Sequence, residues 1–459
     1  MPPEDVLPSS FRDPAGAVFK LSGVLYRGIR ASGLPRYEAL MASGLYAELV
    51  GAGLLVPHEE VALAPGGTGD FVRVIRPEEI PFVSYPYEWS FSQLQDAARV
   101  TLEIERRAVA RGLTLIDASA YNIQFLRGRP VLIDTLSLGR AVEGAPWPAY
   151  GQYCRHFLAP LALMAHRDVR LGQLLRVHLD GVPLDLAAAL LPAGAKRRPG
   201  LFLHLHLHAK SQKRYEGRTS RAAAGRVGRR ALLGLLDSLD GTTRRLRWRA
   251  GGTEWADYYR DTNYTPAGAE DKRRAVAEFI AEARPRTVWD LGANDGTFSR
   301  VAAAGGALTV AFDVDPACVE KNYLRVRADN DPSLLPLLMD LANPSPAAGW
   351  DNAERMALSE RGPADAVLAL ALVHHLAIGN NVPLDMIAGA FARLGRRLLV
   401  EFVPKSDSQV ARLLVTREDV FDRYTREEFE RAFTGPFEIV RRVPLADSER
   451  ALYVMSRKG

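Results

Sequence analysis

The sequence of 459 residues lacks most features of secreted, membrane-spanning or metal-bound proteins. Its two cysteines, Cys154 and Cys318, lie far apart and form no C-x-x-C pair. This argues against a disulfide framework and against a cysteine-based zinc site, and it favours a reducing compartment. No apolar run reaches the roughly eighteen residues of a membrane-spanning helix. The first residues also lack the basic-then-apolar order of a secretion signal, so we expect a cytoplasmic protein.

The composition is that of a globular protein with no strong charge preference. Hydrophobic residues make up 47% of the chain and charged residues 25%, and the net charge is +5. So small a charge does not by itself predict a polyanionic partner. The length exceeds that of a typical single core, so we expect more than one domain.

The C-terminal part, from about residue 270, alternates helical patterns with short apolar stretches. This alternation is typical of a parallel α/β sheet. Only "PLADSER" separates the last two apolar stretches, which predicts an antiparallel hairpin at the sheet edge. The predicted strands are 287–291, 308–313, 334–339, 365–372, 397–403, 436–442 and 451–456.

The stretch 209–252 is rich in Lys and Arg and contains the segment "RRALLGLLDSL", which could form an amphipathic helix. We interpret this stretch as an exposed basic connector, with RNA binding as the alternative. The predicted domains are therefore an N-terminal α+β accessory domain at 1–208, the connector at 209–252, and an α/β domain at 253–459.

The stretch "TVWDLGANDGTF" at 287–298 predicts a strand, a tight turn and a helix whose first N–H groups can bind an anion. It does not match G-x-G-x-x-G, the pattern of dinucleotide sites, and no Lys follows Gly296 as a phosphate-binding loop requires. An acid, Asp290, closes the strand before the glycines Gly292 and Gly296.

Two further acids follow the next two predicted strands. Asp313 comes 23 residues after Asp290, a spacing at which a carboxylate can accept hydrogen bonds from ribose hydroxyls. Asp340 follows the third strand, whereas Asp315 is better placed to cap the next helix. Each acid taken alone could equally be a helix cap or a turn residue.

Together, the acid-then-G-x-x-x-G turn, the later acids and the terminal hairpin resemble the class I S-adenosylmethionine-dependent methyltransferases. The resemblance covers about residues 253–459 and implies a seven-stranded, doubly wound sheet with S-adenosylmethionine as cofactor. It implies that the turn holds the methionine moiety, Asp313 the ribose and Asp340 the adenine amino group. Tyr259 and Tyr264 are candidates to lie over the sulfonium by cation–π attraction. The predicted cofactor-binding residues are Asp290, Gly292, Asn294, Gly296, Asp313, Asp340 and Tyr264.

Methyl transfer is an in-line displacement at an activated carbon and depends mainly on positioning. A base is needed only when the acceptor must lose a proton. The candidates are His374 and His375, at the mouth of the fourth predicted strand, and Glu401, at the end of the fifth. A role in shaping the pocket is the alternative for the histidines.

The N-terminal half contains "LTLIDASAYNIQFLRGRPVLIDTLSLG", which resembles the catalytic segment of protein kinases and aminoglycoside phosphotransferases. The resemblance implies that Asp117 faces the phosphate acceptor and that Asn122 and Asp134 bind magnesium. No glycine-rich loop is present, and only Lys20 and Arg27 could replace the usual lysine. The alternative is an α+β domain in which Asp117 and Asn122 cap turns.

The stretch "FLHLHLHAK" alternates leucine with His204, His206 and His208. On a strand, all three imidazoles would face one side as metal ligands do, but the alternation also suits an ordinary half-buried strand. On a helix, only His204 and His208 would share a face. No acid or cysteine completes a known site, and we predict no metal.

The leading hypothesis is thus a methyltransferase acting on an oxygen or nitrogen of a small molecule or glycan. RNA or protein methylation through the basic connector is the first alternative. A scaffold that binds the cofactor or ATP without catalysis, and phosphotransfer by the N-terminal half, are the others. The sequence does not fix the oligomeric state.

Overall fold

The computed structural model describes residues 6–62, 70–207, 226–253, 264–415 and 418–459. The chain divides into two compact units. Unit 1 comprises Met1–Trp248 together with Ala348–Arg355, and unit 2 comprises Arg249–Ala347 and Met356–Gly459. Among the described residues, no helix combines the length and the apolar character that crossing a bilayer requires.

Unit 2 is built on a seven-stranded sheet with the order β11-β10-β9-β12-β13-β15-β14. The first five strands in this order run parallel, whereas β15 pairs antiparallel with both β13 and β14. The chain order reverses between β9 and β12, and ligands of such sheets bind at the carboxyl ends of the strands beside this point. The strands are β9 Thr287–Leu291, β10 Leu308–Asp313, β11 Leu334–Leu338, β12 Ala364–Ala369, β13 Gly395–Phe402, β14 Phe437–Pro444 and β15 Ala451–Arg457.

These seven strands confirm the sequence predictions to within about two or three residues at each end, and the terminal hairpin forms as expected. The layout is that of the class I methyltransferase fold. Asp315 caps its helix as predicted, because its carboxylate accepts a hydrogen bond from the Ala317 amide.

Helices cover the sheet of unit 2. The first of them begins at the side-chain cap of Thr265, whose hydroxyl accepts from the Gly268 amide. Its buried residues Val276 and Phe279 belong to one core cluster with Val288 of β9 and Leu399 of β13. The helices are Pro266–Ala283, Thr297–Ala304, Pro316–Asp329, Leu384–Leu394, Ser408–Leu414 and Arg426–Phe433, with a wider helical turn at His375–Gly379.

Unit 1 begins with a four-stranded antiparallel sheet of order β1-β2-β4-β3. The long helix Phe91–Ala110 follows, as its apolar period predicts, and its N-terminus carries a capping box formed by Ser90 and Gln93. Two small antiparallel pairs, β5-β8 and β6-β7, come next. The strands are β1 Gly16–Leu21, β2 Val24–Arg30, β3 His58–Glu60, β4 Phe71–Pro77, β5 Leu113–Leu115, β6 Ile123–Leu126, β7 Arg129–Leu132 and β8 Leu138–Arg140.

The remaining helices of unit 1 are mostly short. They are Leu34–Ala42, Leu45–Gly51, Tyr150–Tyr153, Ala159–His166, Leu174–Val177, Leu184–Leu190, Pro199–Leu201 and Arg229–Arg245, with wider helical segments at Cys154–Leu158 and Phe202–Leu207.

The predicted connector differs from the structure in its second half. The helix Arg229–Arg245 forms as predicted, but it belongs to unit 1 and packs against Phe91–Ala110. Leu236 and Leu239 are completely buried in this contact region, and the Gln95 side chain donates to the Thr243 carbonyl at 2.8 Å. The apolar face of the predicted amphipathic helix is buried in unit 1, so this half of the stretch is not an exposed connector. The first half, 209–225, lies outside the described residues.

The core of unit 2 predicts a large stability loss for Phe279→Ala. Phe279 is completely buried in the cluster that joins its helix to the sheet, and removing such a ring costs about 3–5 kcal/mol. Urea unfolding of the variant should show this loss. Met386→Ala is the control, because Met386 is 62% exposed on the helix Leu384–Leu394 and its truncation should change the free energy of unfolding little. Equal effects of the two substitutions would contradict this packing.

Candidate active site

A cavity of about 700 Å³ lies in unit 2 at the carboxyl ends of β9, β10 and β12. This is the edge at which ligands bind in sheets of this topology. Of the residues predicted to bind the cofactor, Asp290, Gly292, Asn294, Asp313, Asp340 and Tyr264 all line the cavity. Tyr259 lies outside the described residues.

The turn at 292–296 follows β9 closely and needs its glycines. Gly292 and Gly296 have φ of +76° and +81°, backbone conformations that residues other than glycine rarely adopt. A Cβ on Gly296 would come within 2.4 Å of the Asn322 side chain. Gly292 lines the cavity, whereas Gly296 does not; the missing Cβ at Gly296 lets the helix Pro316–Asp329 pack closely against the turn.

Two buried carboxylates lie at the strand ends beside this turn. The Asp313 carboxylate accepts from the Asn294 amide at 2.7 Å and from the Asp315 amide at 2.8 Å. The Asp290 carboxylate accepts from the Ser299 hydroxyl at 2.6 Å through Oδ2. Burial raises the pKa of Asp290 and of Asp313 to about 6 in each case. Strongly perturbed carboxyl groups that line a cavity are typical of functional sites.

The two remaining cofactor candidates differ in their surroundings. Asp340 is exposed at the end of β11, and its carboxylate accepts from the Ala342 amide. Tyr264 is half-buried and lies between two cations. The Lys272 ammonium is 4.7 Å from its ring centre, and the Arg450 guanidinium carbon is 4.4 Å from it.

Glu401 is fully buried and forms the centre of a network of charged and polar groups behind the cavity wall. Its Oε1 accepts from the Tyr264 hydroxyl at 2.5 Å and lies 3.5 Å from the Arg450 guanidinium. Its Oε2 accepts from Lys272 Nζ at 2.8 Å and from the Ala371 amide at 2.9 Å. Burial favours a raised pKa, but Lys272 and Arg450 outweigh it and hold the pKa of Glu401 below its usual value. This ionised side chain does not line the cavity, and its geometry suits positioning better than proton transfer.

The two candidate histidines lie in different environments, although their ring centres are only 4.1 Å apart. His375 lines the cavity, and burial lowers its pKa to about 4, so its imidazole is neutral at neutral pH. His374 is 2% exposed and does not line the cavity, and burial lowers its pKa well below 6.5. Of the pair, only His375 faces a place where an acceptor could bind.

Sequence reasoning missed three residues of this region. Lys272 and Arg412 line the cavity, and Arg450 joins the network behind it. They lie on three segments far apart in the sequence, and no local motif links them. The position of Lys272 on an inward-facing turn of an amphipathic helix was the one available signal, since a buried lysine needs a partner.

In unit 1, the three residues of the kinase-like pattern bind to neighbouring side chains. Asp117 accepts from the Gln152 amide, Asn122 donates to the Ser137 hydroxyl, and Asp134 pairs with Arg27 at 2.6 Å. No group of three or more His, Cys, Asp or Glu side chains that could hold a metal occurs in the described part of the chain.

Of the strand and the helix that the alternating histidines left open, the structure has the helix. Phe202–Leu207 is helical, and His204 is buried between the Tyr150 hydroxyl and the Ser238 hydroxyl, at 2.9 Å from each. Alternating Leu and His satisfied the strand pattern, but these tertiary contacts favour a helix. His208 lies outside the described residues.

The raised pKa of Asp290 predicts a pH-dependent gain in stability for Asp290→Asn. An acid whose pKa is higher in the folded state than the usual 3.8 weakens folding as pH rises through the window from about 4 to 6. The ligand-free variant should therefore exceed the natural protein in free energy of unfolding by about 1–3 kcal/mol at pH 8. The difference should shrink at pH 5. Urea unfolding at the two pH values measures it, and a variant less stable at pH 8 would contradict the assignment.

The chain is similar to a known protein sequence over nearly its full length and to solved structures over less than half of it. No protein-family model matches. Among solved structures, the chain is similar to the magnesium protoporphyrin IX methyltransferase ChlM from Synechocystis PCC 6803 with bound S-adenosylmethionine. Identity is 18%, the match covers 45% of this chain and 86% of ChlM, and the TM-score is 0.30. It is also similar to WbdD. Identity is 18%, the match covers 45% of this chain and 43% of WbdD, and the TM-score is 0.30.

Among characterised sequences, the chain is 36% identical over 456 residues to the nodulation protein NoeA of Rhizobium meliloti (strain 1021). The alignment covers 98% of this chain and 95% of the relative. At this identity over nearly the full length of both chains, the protein belongs to the family of the nodulation protein NoeA.

Proposed function

We propose that unit 2 is an S-adenosylmethionine-dependent methyltransferase that acts on an oxygen or nitrogen of a small molecule or glycan. The observation that carries the proposal is the pair of buried carboxylates, Asp290 and Asp313, beside the glycine turn in one cavity. Burying two carboxylates in a ligand-free site is costly, and such a cost is typical of groups kept for binding.

The cavity residues fit the chemical groups of this cofactor. Asp290 accepts no hydrogen bond at Oδ1 from another described residue, so it can receive the ammonium of the methionine moiety. Asp313 accepts hydrogen bonds from the backbone amides of Asn294, Val314 and Asp315, and a carboxylate, with about four acceptor positions, keeps capacity for a ribose hydroxyl. Asp340 can accept from the adenine amino group. The Tyr264 ring already lies beside Lys272 and Arg450, which opposes the approach of a third cation, so its predicted contact with the sulfonium has less support than the roles of the carboxylates. The cofactor supplies a methyl group on a positively charged sulfur, which makes the carbon open to displacement.

His375 is our candidate for the base. Its neutral imidazole at the cavity wall has a lone pair for the proton that a hydroxyl or amine loses during transfer, but burial, which lowers its pKa to about 4, makes it a weaker base than an exposed histidine. Glu401 then acts as a positioning residue, since it fixes the Tyr264 ring and the backbone amide of Ala371 from behind the wall. The near full-length similarity to NoeA supports extending the nodulation role in that protein's name to this chain. RNA or protein as acceptor is the alternative.

We also propose a kinase-like fold for unit 1. The four-stranded sheet, the long helix and the hairpin between Asn122 and Asp134 follow one another as the sequence resemblance implies. Asp134, however, is paired with Arg27, which also binds Asp13 at 2.7 Å. The Arg27 guanidinium thus occupies Asp134, the acid that the resemblance assigns to magnesium binding, and this argues against phosphotransfer.

Gly296→Ala should abolish binding of S-adenosylhomocysteine. The new Cβ would be strained at φ +81° and would meet the Asn322 side chain, which would displace the turn. Gly306→Ala is the matched control, because Gly306 has φ +90° in the loop after the same helix but open space around the Cβ position. Calorimetric titration should show micromolar binding, about 8 kcal/mol, for the natural chain and the control. Absence of binding to the natural chain would refute the proposed function, and binding by Gly296→Ala would remove this turn from the site.

Titration of the same protein with magnesium and ATP should give no saturable heat. The physical reason is the Arg27–Asp134 ion pair, which metal binding would have to break. Binding that disappears in Asp134→Ala, while S-adenosylhomocysteine binding persists, would assign a second activity to unit 1. Asp237→Ala is the control for a nonspecific loss of acidic charge, because Asp237 is an exposed acid of unit 1 outside the kinase-like pattern.

A further inference from the structure

Arg412, an exposed arginine on the helix Ser408–Leu414, lines the cavity, and its helix contacts the turn His375–Gly379 that follows β12. Among the described residues, no hydrogen bond or ion pair engages its guanidinium. The other cation in the wall, Lys272, is held by Glu401 at 2.8 Å. Arg412 is therefore a cationic side chain of the cavity that remains available to a ligand.

The charges of the cavity wall are divided between its two ends. The three lining carboxylates, Asp290, Asp313 and Asp340, follow β9, β10 and β11, on the side assigned to the cofactor. Within the described part of the chain, the wall after β12 and β13 contributes Arg412 and no carboxylate. An anionic group would be repelled at the first end and attracted at the second.

The remaining wall near Arg412 is largely apolar. Leu372 and Leu376 line the cavity after β12, and Leu413 lines it from the helix of Arg412 itself. Asn380 adds an amide, whose nitrogen donates to the His375 carbonyl. A ligand that matches this end combines an apolar or ring-like body with a negative group.

The helix that carries Arg412 is held in place from beneath. Its N-cap is Asp407, whose carboxylate accepts from the Gln409 amide at 2.9 Å. Arg450, 2% exposed, binds both oxygens of Asp407 at 2.7 and 2.9 Å and also faces Glu401. A two-bond guanidinium–carboxylate contact of this kind fixes geometry. Because the helix is already positioned, a ligand at Arg412 would bear little of the cost of ordering it.

From these observations we infer that Arg412 selects an acceptor that carries an anionic group, such as a carboxylate, sulfate or phosphate, on an apolar or ring-like body. The inference rests on the proposed methyltransferase function for the location of the acceptor end. Arg412 acts here in binding and specificity, and Arg450 and Asp407 are positioning residues.

The test uses two fluorescent probes that differ only in charge. Anilinonaphthalene sulfonate has an apolar body with a sulfonate, and phenylnaphthylamine has the same body without it. Both are titrated into the full-length protein saturated with S-adenosylhomocysteine. Arg412→Gln should raise the dissociation constant of the sulfonate probe by roughly three- to fivefold, the range of a solvent-exposed ion pair. The dissociation constant of the neutral probe should stay unchanged. Arg412→Lys should retain most of the affinity, and the effect should shrink as salt rises.

Arg393→Gln is the matched control. It removes the same charge from an exposed arginine in the last turn of Leu384–Leu394, a helix that leads into the opposite end of β13. Equal weakening of both probes by Arg412→Gln, an equal effect of Arg393→Gln, or no saturable binding of the sulfonate probe would each overturn the inference. Failure of S-adenosylhomocysteine to bind would instead refute the proposed function, and the probes titrated into the free protein would still report on Arg412.

Discussion

The buried carboxylate of Glu401 is the group on which the arrangement of the cavity depends. It sits at the carboxyl end of β13, and its four contacts reach the first helix of unit 2, the turn after β12 and the terminal hairpin. Removing one partner from such a network leaves an uncompensated charge, at a cost of about 3–5 kcal/mol. A well-packed apolar cluster in the same place is often as stable. The network is therefore better explained by the positions it enforces than by the stability it adds.

Those positions concern both ends of the cavity. On the cofactor side, Glu401 and Lys272 fix the Tyr264 hydroxyl, and two cations lie near its ring. On the other side, Arg450, which lies beside Glu401, donates to both oxygens of Asp407 and so fixes the N-cap residue of the helix that carries Arg412. One continuous set of ion pairs thus supports a wall that would face the reacting methyl group and a wall that would face its acceptor. This rigidity suits a displacement that depends on alignment of the reactants.

The fold of unit 2 was largely predictable, because its strands are short apolar runs bounded by turns and its hairpin has too few residues for a helix. The turn glycines and Asp313 were predictable for a similar reason, since each depends on local spacing. The roles of Lys272 and Arg450 were not, because their contacts join segments far apart in the chain. His204 shows the same limit, because the local alternation fitted a strand or a helix, and the hydrogen bonds of its ring with Tyr150 and Ser238 accompany the helix.

The charge distribution also limits what the cavity can do. The pKa values of about 6 for Asp290 and Asp313 mean that a ligand-free unit 2 keeps part of this acid in the neutral form near pH 6. A cationic, hydroxyl-rich ligand that binds both carboxylates would favour their ionised forms, and by linkage its affinity would rise with pH through this range. His375 stays neutral throughout, since burial holds its pKa at about 4. The alkaline side of pH 6 therefore favours binding of such a ligand, whereas His375 has the same charge on both sides of pH 6. The two carboxylates, and not the histidine, set the pH dependence of this cavity near pH 6.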